Sequence, residues 1–110
     1  MLILLDNGIP RGLALFFAAH TVDEARARGW QELTNGDLIQ AAEHAGFQVM
    51  VTNDKNIRHQ QNLTGRRLAI VVLENSQWPM VKAAARQIAE AVDAASSGTY
   101  SEVPVPSKKK

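Results

Sequence analysis

Three short, nearly unbroken apolar runs constrain this chain most: "LILL" at Leu2–Leu5, "FQVMV" at 47–51 and "LAIVVL" at 68–73. A strand with one wet face alternates apolar and polar residues. Runs like these read as strands covered on both faces, the kind found in parallel sheets. The intervening segments carry helical spacing. Leu13, Phe16 and Phe17 follow Pro10 and predict a helix over 10–19. Leu38, Ala41, Ala42 and Ala45 share one face of a helix over 35–44, with Gly46 as its C-terminal cap. Val81, Ala85, Ile88 and Val92 predict a last helix over 79–95. A short second strand is read at 21–23 and a short helix at 56–62. The order β-α-β-α-β-α-β-α points to an α/β fold with a mainly parallel sheet of about four strands and helices on both faces. Residues 1–96 form one domain on this reading, and 97–110 a flexible tail with a short edge strand near 100–103. Parallel strands bring their C-terminal ends to one edge, where open α/β sheets bind ligands.

Bulk composition excludes more than it assigns. Apolar residues are 45% of the 110, which suits one modest core. The net charge of +1 gives no global argument for or against nucleic acid, so any such argument must be local. With no cysteine, disulfide frameworks, thiolate metal sites and cysteine nucleophiles are excluded. The opening "MLILLDNGIP" is too short in apolar length for a signal-peptide core or a membrane span. A cytoplasmic protein without membrane contact is expected.

The acids fall in a pattern. Asp6 directly follows the first strand, and Asp54 follows the third, just past Val51. Asp37 lies in the first turn of the helix leading into that strand, so its end of the helix faces the same sheet edge. Three carboxylates distant in sequence would then meet on one rim. Oxygen-only clusters suit Mg²⁺ or Mn²⁺, which offset the mutual repulsion of the acids and polarise a phosphate. The set does not resemble a structural zinc site. Each acid also has a plain structural reading: an Asx-turn for Asp6, a favourable helix N-terminal charge for Asp37, a helix cap for Asp54. Glu24, after the short second strand, is a possible fourth acid or a solvated carboxylate. Glu43 is read as solvent-exposed.

The stretch "VTNDKNIRHQQNL" turns abruptly polar after Val51. Lys55, Arg58 and His59, with Arg11, are candidate phosphate contacts, or simply an exposed basic face. Asn56, Gln60, Gln61 and Asn62 have no titratable group and are expected to fix backbone or touch substrate. Trp30 and Trp78 are candidates for base stacking or for packing under loops. There is no phosphate-binding Gly-rich loop and no nucleophile elbow.

The pieces "LLDNGIPRGL", "HTVDEARARGW", "LTNGDLIQAAEHAGFQVMVTNDKNIRHQQNL" and "RRLAIVVL" resemble, in order, the small PIN-like family of bacterial proteins, relatives of the VapC-type toxins. The resemblance implies a PIN-like three-layer α/β/α sandwich and a metal-dependent nuclease acting on RNA. It places the family's strand-end aspartate at Asp6, its helix aspartate at Asp37 and its T-x-D aspartate at Asp54. Larger PIN nucleases carry a further acid, for which Glu24 is the nearest candidate. The expected function is a Mg²⁺- or Mn²⁺-dependent ribonuclease, with RNA, an antitoxin protein and a second copy of the chain as expected partners. The alternatives are an inactive PIN-like module that binds RNA or protein, and another Mg²⁺-dependent phosphoryl-transfer protein with Asp6 as nucleophile.

Overall fold

The computed structural model describes residues 1–57 and 65–105. Five strands, β1 (Leu2–Leu5), β2 (Thr21–Glu24), β3 (Val49–Thr52), β4 (Ala69–Leu73) and β5 (Tyr100–Val103), form one sheet in the order β2-β1-β3-β4-β5. All four pairings are parallel. The α/β class expected from the apolar runs is therefore the class observed. The sheet has five strands rather than about four, because the edge strand expected near 100–103 pairs with β4 from Ile70–Tyr100 to Leu73–Val103.

The runs are apolar throughout because both faces are covered. Ile3, Leu5, Val49, Val51, Ala69, Val71 and Leu73 belong to one core cluster. Leu4, Met50, Ile70 and Val72, the alternate residues, belong to the other. On the first face lie a 3-10 segment (Arg11–Phe16) and helices α2 (Trp78–Ala83) and α3 (Ala85–Ala94), which contribute Leu13, Val81, Ala85, Ile88 and Val92. On the second lies helix α1 (Asn35–His44), with Leu38, Ile39 and Ala42 fully packed. Burying each of the Val, Leu and Ile side chains contributes at most about 1.5–3 kcal/mol.

Helix α1 matches the sequence reading at both ends. Thr34 Oγ1 accepts from Asp37 N at 3.4 Å. At the far end Gly46 has φ 92°, Gly46 N donates to Glu43 O at 3.1 Å and Phe47 N donates to Ala42 O at 2.9 Å. This is the left-handed glycine cap that pairs the last carbonyls.

Two helix expectations need correction. The segment after Pro10 is a six-residue 3-10 turn, not an α-helix to residue 19. Gly12 lies inside it, no side chain caps its start, and Leu13 is its only buried residue, so little favours elongation. The last helix is two helices, broken at Ala84 (φ −99°, ψ 7°). The apolar stripe Val81, Ala85, Ile88, Val92 nonetheless stays buried across the break. The helix expected over 56–62 lies almost wholly outside the described residues.

Glu43 corrects the exposed reading given to it. Its side chain is 14% exposed and joins α1 to the segment entering β4. It accepts from Arg66 Nη1 at 3.0 Å, Arg67 N at 2.7 Å and Leu68 N at 3.0 Å. Burial alone would raise its pKa. The hydrogen bonds from Leu68, Arg66 and Arg67 and the Arg66 charge outweigh that, so the carboxyl sits below its ordinary value of 4.5.

Candidate functional site

The order β2-β1-β3 places the reversal of chain direction across the sheet between β1 and β3. The crevice at the C-terminal ends of two such strands is where open α/β sheets take ligands. Asp6 and Asp54 come from the ends of these two strands. Asp6 N extends the ladder by one bond, donating to Val51 O at 2.9 Å. Asp6 Oδ1 accepts from Asn7 N at 2.7 Å, and Asp6 Oδ2 accepts from Thr52 Oγ1 at 2.7 Å. Thr52, the only fully buried polar residue among those described, also accepts from Asp54 N at 3.2 Å. One hydroxyl thus fixes both aspartates, a role the sequence hid because threonine at a strand end looks ordinary.

Asp54 is held on its other side too. Asn56 N donates to Asp54 Oδ1 at 3.0 Å, an Asx-turn, and Asn35 Nδ2 donates to Asp54 Oδ2. Asn35 opens α1, so this contact brings the helix start to the rim beside the strand ends. Asp37, in the first turn of the same helix, is exposed and gives its backbone N–H to the Thr34 cap. Lys55 is exposed beside Asp54. Arg58, His59, Gln60, Gln61 and Asn62 lie outside the described residues.

A cleft of about 340 Å³ opens next to Asp6 and is lined by Asp6, Asn7, Arg11, Glu24, Arg26, Ser76 and Trp78, among others. Glu24 and Arg11 meet across it at 3.3 Å, with side chains 27% and 77% exposed respectively. Arg26 Nη2 donates to Asn7 O at 3.2 Å, and Asn7 Nδ2 to Gln31 O at 3.1 Å. Asn7 Oδ1 is buried without a hydrogen-bond partner among the described residues. Gly8 lies under the Asn53 amide: a Cβ there would stand 2.6 Å from Asn53 Oδ1. Asn53 Nδ2 in turn donates to Ser76 Oγ at 3.0 Å, closing the cleft wall from β3 to the segment after β4. A hollow of about 380 Å³ at the opposite end of the sheet, near Glu43, Gln48 and Arg67, has its one acid already committed to Arg66 and backbone.

Among the described residues no three His, Asp or Glu side chains stand close enough to hold one ion. Asp6 and Glu24 share the cleft, Asp54 is linked to Asp6 through Thr52, and Asp37 is not part of the cleft lining. This donor set still fits Mg²⁺ or Mn²⁺. It offers hard oxygens only, each carboxylate oxygen of Asp6 and Asp54 accepts one hydrogen bond, and the buried Asn7 Oδ1 beside Asp6 lacks a donor. Mg²⁺ sites characteristically use one or two carboxylates, with waters and substrate phosphates completing the shell. No helix among the described residues is long and apolar enough to cross a membrane. No protein-family profile, curated protein or solved structure matches the chain.

Proposed function

We propose that this chain is a PIN-like ribonuclease dependent on Mg²⁺ or Mn²⁺, acting in the cytoplasm as the toxin of a toxin–antitoxin pair. The observation that carries the reading is the placement of Asp6. It sits at the topological switch point, is tied through the Thr52 hydroxyl to Asp54, and opens on a cleft that combines the carboxylate of Glu24 with the guanidiniums of Arg11 and Arg26. Carboxylates beside guanidiniums suit a cation and a phosphodiester held together. Asp6 and Glu24, which share the cleft, are the residues that would hold the ion, with waters and phosphate oxygens completing its shell. Bound there, it would neutralise phosphate charge and lower the pKa of a water. Thr52 and Asn35 keep the aspartates in place, while Arg11, largely exposed, is free to swing from Glu24 to a phosphate oxygen.

The test is cleavage of RNA by protein purified free of metal, with and without added Mn²⁺. Cleavage should require the ion and fall at least about 100-fold in Asp6→Asn, the scale of losing an electrostatic or acid–base group. Equal activity in a triple Asp6, Asp37 and Asp54 to Asn variant would sink the assignment. The absence of a three-acid cluster among the described residues favours a second reading, a module that binds RNA or a protein partner without cutting. It predicts RNA binding with no metal-stimulated cleavage.

A further inference from the structure

The two tryptophans, equivalent in the sequence, have different surroundings. Trp30 is spent on packing: its ring meets Phe47 edge-on at 6.1 Å and 74°, and the Arg28 guanidinium lies 5.3 Å from its centroid. Trp78 packs in part on the first-face core, but it also forms part of the cleft wall with Asp6, Arg11 and Glu24, is half-buried, and has no ring or cation–π partner among the described residues. It is also fixed from behind. Gly12 lies against the indole so closely that a Cβ would stand 2.9 Å from its Cζ2 and Cη2. The six-membered ring edge is therefore pressed on the Gly12 backbone, which pre-sets its orientation.

We propose that Trp78 is a base-stacking wall, and that the cleft takes one unpaired nucleotide with its base on the indole and its phosphate toward Arg11 and Arg26. This rests on the nuclease reading above. A volume of about 340 Å³ is at the small end for ligand pockets, room for about one nucleotide. Stacking on an aromatic wall is tolerant of base identity. The cleft accordingly selects for unpaired RNA and not for a sequence. Trp78 acts as a positioning residue, since nothing in its chemistry moves a proton.

The test uses Trp30→Phe protein, whose remaining tryptophan emission comes from residue 78. It is mixed in stopped flow, before cleavage, with a short unpaired oligoribonucleotide or an abasic ribose–phosphate chain of the same length, both with Mg²⁺. The base-bearing chain should quench the indole and bind about 5- to 150-fold more tightly than the abasic chain, the range for one stacked base. In Trp78→Leu, with binding read instead by the anisotropy of a dye on the end of each chain, that discrimination should disappear, while Trp78→Phe should keep part of it. RNA that is cleaved with equal binding of the two chains overturns the stacking role and leaves the nuclease reading standing. Neither binding nor cleavage overturns both. Discrimination by Trp78 without cleavage supports the stacking role and the non-catalytic reading of the cleft.

Discussion

Replacing Thr52 by valine would test whether one hydroxyl organises the site. The two side chains have nearly the same shape, so packing in this fully buried position is retained and only the polar group is lost. Two bonds go with it. The Thr52 Oγ1 hydrogen bond to the Asp6 carboxylate, at 2.7 Å, is of the charged kind and contributes about 1.5–3 kcal/mol. The bond from Asp54 N at 3.2 Å is ordinary and contributes about 0.5–1.5 kcal/mol. Both acceptor and donor are part-buried, so water partly restores them, and the extra methyl gains some apolar burial. The net loss expected is about 2 kcal/mol. For a domain of this size that lowers Tm by roughly 8–9 °C. Urea denaturation at neutral pH measures it, with Thr52→Ser as the control that keeps the hydroxyl. Thr52→Val should also lower metal-dependent RNA cleavage by about tenfold or more, because Asp6 is no longer oriented. A valine variant as stable and as active as the serine variant would refute the reasoning.

Two further outcomes are expected. In Glu43→Gln the carboxylate that binds Arg66 and two backbone N–H groups loses its charge, costing about 1–2 kcal/mol at pH 7. Because the folded pKa of Glu43 is depressed, its contribution is fully present above the ordinary value of 4.5 and is lost as pH falls through the folded value. The stability gap between wild type and variant should thus narrow with acidification in parallel urea titrations; a gap independent of pH would contradict the assignment. Gly8→Ala should cost about 1 kcal/mol by displacing the Asn53 amide from Ser76. The same change made in an Asn53→Ala background should cost far less, and additive costs in the double-mutant cycle would show that the close approach is not the cause.

What the sequence made legible was whatever depends on local pattern. "LILL", "VMV" and "AIVVL" announce two-sided burial, and the Gly46 signal marks the end of α1. The coarse rim argument for Asp6 and Asp54 follows from strand ends alone. Features that depend on which distant segments meet were illegible. Nothing local says that Glu43 faces the backbone of residues 67 and 68, or that Thr52 stands between two aspartates. Nor does spacing separate Trp78 in a cleft wall from Trp30 against Phe47. The 3-10 turn after Pro10 shows the converse case: Leu13 and Phe17 both enter the core, yet Phe16 stays exposed and the segment does not elongate as an α-helix, so three apolar residues at helical spacing are too weak a signal.

The position of β5 has a consequence for solubility. The β4 strand is "AIVVL", five buried residues rich in β-branched side chains and free of charge. Left at the sheet margin it would present a row of unpaired backbone groups on an uncharged, strongly β-forming segment, the profile of an aggregation template. The parallel pairing of Tyr100–Val103 covers that margin and moves the edge to a strand bearing Ser101 and Glu102, with Glu102 exposed. The last strand thus acts as a gatekeeper, giving the sheet an outer rim that other chains cannot readily extend.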